Sequence, residues 1–120
     1  GLVAPEGHVQ PLSFYWGANA ANVEYLCSLM GVPQPKTDKD SFIAGSMFWC
    51  RLSALAPLID APLTEAEFAA EAGQVDGTMA HAIERVVALA AIHGGFRLTS
   101  AASLVGKPEP QAPYAYANRH

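Results

Sequence analysis

The chain has 120 residues, about half of them apolar, and a formal net charge of −4. This length allows one modest domain with a single core. The weak negative charge lacks the basic surface of a nucleic-acid-binding protein, and no apolar run is long enough to span a bilayer. Cys27 and Cys50 are too few for a zinc motif or a disulfide framework. We therefore expect a soluble cytoplasmic protein with reduced thiols and no metal site of its own.

The first third of the chain predicts a strand end, a loop and one helix. Gly1–Ala4 is a short apolar lead, typical of the end of a strand, and Val9–Trp16 is predicted to be an irregular loop. Apolar residues recur at helical spacing over Ala20–Met30. Asn19 is the predicted N-cap of this helix and Gly31 its C-cap.

The stretch Ser41–Arg51 has the highest apolar and aromatic density in the chain. This density predicts one buried strand that is covered on both faces. Gly45 and Ser46 interrupt the run, and a glycine inside a strand often marks a bulge or the close approach of a ligand. We interpret this strand as the floor of a site and Glu71–Arg85 as its wall.

The second half predicts short helices, one long helix and a last strand. A short helix covers Ala54–Leu58, and a capping box of Thr64 and Glu67 begins another. The long helix is predicted from near Asp76 to His93. Its predicted apolar stripe is Met79, Ile83, Val86, Val87 and Ala90, and its predicted solvent-facing side carries His81, Glu84, Arg85 and Ala88.

Gly94 and Gly95 end the long helix, and Phe96–Thr99 is a strand candidate. From Ala101 the chain turns polar and Pro-rich, which predicts an extended tail over 101–120. The order of elements indicates an α/β or α+β domain over 1–100, with a small mixed sheet, a long C-terminal helix and several short helices. Because so small a sheet is marginal alone, we expect the chain to be cut from a longer protein. Its exposed apolar surface would also allow a homodimer.

Two groups of polar residues are candidates for chemistry. Glu71, Gln74 and Asp76 come just before or at the predicted start of the long helix. One interpretation is that Asp76 caps the helix and Glu71 is a solvated acid. The other is that one of the two carboxylates is a general base in a cleft.

The second group is His81, Glu84 and Arg85, which are neighbours on one helix face. This group is either a solvated charged face or part of a binding site, and with a single histidine it makes a poor metal site. Trp16 and Trp49 are either core residues or stacking platforms for a sugar.

Two sequence blocks together strongly resemble the rhamnan synthesis protein F family. The first is Phe42–Arg51 and the second is Glu71–Arg85, with Ala54–Leu58 and Phe68 between them. The similarity extends from about Pro5 to Leu98. It implies a glycosyltransferase that extends a rhamnose-containing or related polysaccharide of the bacterial cell wall, O-antigen or lipopolysaccharide.

More loosely, the order of elements resembles the second half of a GT-A-type glycosyltransferase. There, an acidic pair at a helix start supplies the base that deprotonates the acceptor hydroxyl. The resemblance implies Asp76 as this base, with Glu71 second. The implied substrate-binding residues are Gly45, Ser46, Trp49, Arg51, Gln74, His81 and Arg85.

The resemblance also implies parts that these residues do not contain. A nucleotide-binding half with an acidic metal motif is expected before Gly1, so the fragment alone is expected to be inactive and without a cofactor. The full-length protein would use a nucleotide-sugar donor, a divalent metal and a glycan or lipid-linked acceptor at the inner face of the cell membrane. The alternative is a non-catalytic module that binds a glycan or a partner through Trp16, Trp49 and the face around His81.

Overall fold

The computed structural model of the protein describes residues 1–110, without the side chains of Phe14 and Tyr15. The predicted tail beyond residue 110 lies outside the described residues. The strands are β1 (Leu2–Ala4), β2 (Val9–Pro11), β3 (Ser41–Ile43), β4 (Trp49–Cys50) and β5 (Leu98–Ser100). The α-helices are α1 (Ala20–Met30), α2 (Ala56–Ile59), α3 (Met79–His93) and α4 (Ala101–Leu104), and 3-10 turns cover Leu12–Tyr15, Leu52–Leu55 and Glu65–Glu67.

The strands form two small sheets. In the three-stranded sheet β1 lies in the middle, antiparallel to β4 and parallel to β5. Strands β2 and β3 form a separate antiparallel pair. The predicted fold class, a small mixed α/β domain with one long helix, is confirmed.

Helix α3 is the central element because both sheets and α1 pack against it. Val86 and Ala90 are fully buried, as the predicted stripe requires, and Ile83 is half-buried. The predicted solvent-facing side is wrong for Arg85 and Ala88, which are also buried. The reason is that β3 covers this side of the helix, with the Phe42 ring centroid 5.1 Å from Arg85 Cζ.

The predicted start of α3 near Asp76 is also wrong. Gly77 has a φ of +78°, a left-handed conformation that interrupts the helix before it begins. Thr78 is the N-cap, and its hydroxyl accepts a hydrogen bond from the His81 amide. Asp76 therefore does not cap α3, and its carboxylate has other partners. The predicted end of α3 at Gly94 is confirmed.

The single buried strand predicted over Ser41–Arg51 is two strands in different sheets. Gly45 (φ +85°) and Ser46 (φ +54°) both adopt left-handed backbone, which turns the chain out of β3. The chain then enters the other sheet as β4, which is an edge strand of that sheet within residues 1–110. As a result Trp49 is 70% exposed.

In chain 1–120, we expect Trp49→Ala to change the free energy of unfolding by no more than about 0.5 kcal/mol, the range of ordinary surface substitutions. Removing a core tryptophan would cost about 3–5 kcal/mol instead. Urea denaturation followed by circular dichroism measures the difference. A loss above about 2 kcal/mol would mean that Trp49 is buried in solution.

Three further segments differ from their predictions. The predicted loop Val9–Trp16 contains β2 and a 3-10 turn. The predicted extended tail begins with α4, which Ser100 caps by accepting from the Ser103 amide at 3.0 Å. Asn19 holds the N-cap position of α1, but its side chain makes no capping hydrogen bond. Within residues 1–110, no helix has the length and apolar character needed to cross a membrane.

Candidate functional site

Three of the predicted site residues line one cleft at the start of α3. The cleft has a volume of about 270 Å³, and Glu71, Gln74 and His81 contribute to its lining together with Phe68 and Thr78. Glu71 and Gln74 come from the loop before the helix, and His81 comes from the first turn of α3. These residues, which are close in sequence, therefore line the same cleft in the structure.

The side chains of Gln74 and Glu71 differ in their hydrogen bonding. The Gln74 amide holds the loop together, because its oxygen accepts from the Ala72 amide and its nitrogen donates to the Ala70 carbonyl, both at 2.9 Å. Glu71 is exposed, and among residues 1–110 its carboxylate has no hydrogen-bond or ion-pair partner. Glu71 is therefore the carboxylate of this cleft that can accept a proton from a bound molecule.

The His81 ring is held in one orientation by the helix cap. Its Nδ1 lies 2.7 Å from Thr78 Oγ1 in a hydrogen bond. The same hydroxyl accepts from the His81 backbone amide at 3.4 Å. With Nδ1 engaged, Nε2 is the ring nitrogen that remains for a hydroxyl bound in the cleft.

Asp76 does not share this arrangement, because both of its oxygens are engaged by the start of α1. Oδ2 accepts from the Ala18 amide at 2.9 Å, and Oδ1 accepts from the Asn19 side chain at 2.7 Å. The carboxylate lies so close to Gly17 that a Cβ at that position would be 1.9 Å from Oδ2. Asp76 thereby ties the loop before α3 to α1.

Burial acts to raise the pKa of Asp76. Hydrogen bonds from Ala18, Asn19 and Gly77 and the positive charge of Arg85 outweigh that effect, and the pKa lies below its usual value of 3.8. The stabilisation from a lowered pKa is complete above pH 3.8 and is lost as the pH falls through the lower, folded-state pKa.

We expect Asp76→Asn to lower the free energy of unfolding by about 1–3 kcal/mol at pH 7, because a charged acceptor of two hydrogen bonds is lost. The deficit should shrink as the pH falls below 3.8, because protons bind first to the unfolded chain and then, at its lower pKa, to the folded wild-type carboxylate. Urea denaturation of both proteins at pH 7 and at pH 3 measures this. A deficit that does not change with pH would contradict the pKa assignment.

A buried arginine connects Asp76 to the Gly45 turn. Arg85 Nη1 donates to Glu84 Oε2 at 2.8 Å and to the His81 carbonyl at 2.9 Å, and Nη2 lies 3.9 Å from Asp76 Oδ1. Glu84 Oε1 in turn accepts from the Gly45 amide at 2.5 Å. The loop that carries Asp76 and the turn at Gly45, which were predicted to form one site, are therefore linked through Arg85 and Glu84 of α3.

The other predicted residues do not reach the cleft. Trp49 and Arg51 belong to the three-stranded sheet, where the Arg51 amide donates to the Gly1 carbonyl at 2.9 Å. Ser46 is exposed in the turn after β3. Within the described part of the chain, no hydrogen bond or ion pair joins these three side chains to Glu71, and their predicted roles in binding substrate stay predictions.

Asn19 is a residue of this region that the sequence did not identify as functional. It is fully buried, and its amide nitrogen donates to the Trp16 carbonyl and to Asp76, both at 2.7 Å. Its Oδ1 is buried without a hydrogen-bond partner in the described structure. A capping position predicts an acceptor, and nothing in the sequence indicates a donor to a carboxylate more than fifty residues away.

The acidic and imidazole side chains are too dispersed to form a metal site. Within residues 1–110, no three His, Cys, Asp or Glu side chains are placed to hold a metal ion together.

The sequence of the chain is similar to those of known proteins. The profile of the family described as rhamnan synthesis protein F matches residues 10–96. The chain is 47% identical, over 99% of its length, to a protein described as "Uncharacterized protein WxcX" in each of two strains of Xanthomonas campestris pv. campestris. It spans 17% of the length of these relatives. No solved structure matches the chain. Since the profile covers most of the chain, the protein belongs to the rhamnan synthesis protein F family.

Proposed function

We propose that this chain is the acceptor-side region of a glycosyltransferase that builds a cell-surface polysaccharide, and that Glu71 is its general base. Membership of the rhamnan synthesis protein F family supports a role in polysaccharide synthesis. The transferase activity rests on one observation, the cleft in which the free Glu71 carboxylate lies with Gln74 and His81. The activity, donor and acceptor belong to the longer polypeptide.

The proposed reaction needs a carboxylate beside the acceptor hydroxyl. The Glu71 carboxylate accepts the hydroxyl proton while the hydroxyl oxygen bonds to the anomeric carbon of the donor sugar. The nucleotide leaves with the electron pair of the bond that breaks. His81 is a candidate to position the hydroxyl through Nε2, because Thr78 already holds Nδ1.

Glu71 is favoured over Asp76 as the base because their surroundings differ. The Asp76 oxygens already accept from Ala18 and Asn19, and hydrogen bonds and the Arg85 charge lower its pKa. A carboxylate so satisfied is a weaker proton acceptor. We assign Asp76 a positioning role, in which it holds the loop that carries Glu71.

The substrates of the proposed transferase indicate where it would act. We infer that the protein acts in the cytoplasm, at the inner face of the cell membrane, where a lipid-linked acceptor and a nucleotide-sugar donor would meet.

The test is sugar transfer by the complete polypeptide, measured with a labelled nucleotide-sugar donor and the polysaccharide acceptor. Glu71→Gln should lower the rate of transfer far more than Asp76→Asn does at equal amounts of folded protein. If both variants retain full activity, the chain has a non-catalytic role in polysaccharide synthesis instead.

A further inference from the structure

Among residues 1–110, the three-stranded sheet has a packed core on one side only. Successive side chains of a strand point to opposite faces. Leu2, Cys50 and Leu98, which lie opposite one another in the register, pack into the core against α3. Val3, Trp49 and Thr99 form the next row of the register and therefore lie on the other side. We call that side the outer face.

The outer face is unusually apolar for a solvent-exposed surface. Trp49 is 70% exposed and Met47, two residues before it, is 53% exposed. Leu104 of α4, 63% exposed, lines a shallow groove with Val3 and Thr99. In the described part of the chain, none of these side chains belongs to a buried hydrophobic cluster. Exposed apolar patches on a protein surface often mark sites that bind another protein segment, a membrane or a ligand.

The charged residues of the outer face are both arginines. Arg51 and Arg97 are exposed at the alternate positions that share a side with Trp49 and Thr99. The whole chain carries a net charge of −4, so this face is positive on an acidic protein. Its complement has an apolar centre and carboxylates at the rim.

The comparisons indicate where such a partner comes from. The chain aligns with its relatives over 99% of its own length but spans only 17% of theirs. Most of the polypeptide in those relatives therefore lies outside this region. Parallel strands, such as β1 and β5, are usually covered by protein on both faces.

We propose that the outer face packs against an amphipathic segment of the same, longer polypeptide. The apolar side of that segment covers Trp49, Met47 and Leu104, and its acidic side chains pair with Arg51 and Arg97. This interface is on a different surface from the Glu71 cleft, so it does not depend on the proposed catalysis.

Hydroxyl-radical footprinting read by mass spectrometry tests the interface without any substitution. Oxidation rates of Trp49 and Met47 are compared between chain 1–120 and the complete polypeptide. We expect both rates to fall about fivefold or more in the complete polypeptide, as for side chains in the centre of an interface. Tyr25, 42% exposed on α1, is the internal control and should keep its rate. Equal rates at Trp49 in the two proteins would overturn the proposal.

A matched pair of variants tests the charge pairing. Arg97→Glu in the complete polypeptide should restore rapid oxidation of Trp49, whereas Arg97→Lys should keep the protection. Protection that survives both substitutions would overturn the acidic character of the segment. Protection already present in chain 1–120, and lost on dilution as a dimer dissociates, would make a second copy the occupant and refute the intramolecular interface.

Discussion

We expect Glu71→Gln to lower kcat for sugar transfer by the complete polypeptide about 10²–10⁴-fold, the usual contribution of a general base. The amide keeps the size of the side chain but accepts no proton at neutral pH. Glu71 is exposed and has no partner among the described residues, so its loss should leave the fold intact. Initial rates at saturating acceptor, together with thermal unfolding of each variant, give the answer.

Two variants make this experiment specific. Glu65→Gln removes an exposed carboxylate from the nearby 3-10 turn and should leave kcat unchanged. Asp76→Asn should lower stability and lower kcat only modestly, because Asp76 acts through the loop. If Asp76→Asn abolishes transfer and Glu71→Gln does not, the base is Asp76 and the proposed assignment is reversed.

Replacing Arg85 should cause the largest loss of stability among the polar substitutions considered. Arg85 is 7% exposed and joins Glu84, Asp76 and the His81 carbonyl. We expect Arg85→Ala to lower the free energy of unfolding by about 3–5 kcal/mol, because it removes a buried cation with its hydrogen bonds and leaves the partly buried Glu84 carboxylate without its ion-pair partner. Urea denaturation at pH 7 measures the loss.

The controls separate charge from geometry. Arg97→Ala removes an exposed guanidinium and should cost no more than about 0.5 kcal/mol. Arg85→Lys keeps the charge but loses the planar fork, so it should recover only part of the stability. A loss below about 1 kcal/mol for Arg85→Ala would mean that the network does not stabilise the fold.

Sequence patterns predicted an element correctly where interactions between residues close in sequence, such as helix capping, determine its structure. Helical spacing with Gly31 predicted α1, and Thr64 with Glu67 predicted the capping box, which the structure contains. The same logic failed over Ser41–Arg51. Bulk hydrophobicity indicates burial, but two consecutive left-handed residues redirected the chain, and Trp49 came to lie on a face that residues 1–110 leave exposed.

The candidate site was predicted only in part because its decisive contacts are long-range. The spacing of Glu71, Gln74 and His81 in one block predicted their proximity, and they line one cleft. The contact of Asp76 with Asn19, and that of Glu84 with Gly45, join residues far apart in sequence. No periodicity or cap encodes such pairs, and the sequence therefore ranked Asp76 above Glu71.

The position of β1 in the middle of its sheet has a consequence for how the protein is made. Leu2 is synthesised before both of its partners, Cys50 in the antiparallel strand β4 and Leu98 in the parallel strand β5. Synthesis proceeds at about 5–20 residues per second, so β1 waits several seconds for its second neighbour. Such distant pairing also slows folding once the chain is complete. During that interval Leu2 and Ala4, which are fully buried in the folded protein, lack the neighbours that cover them.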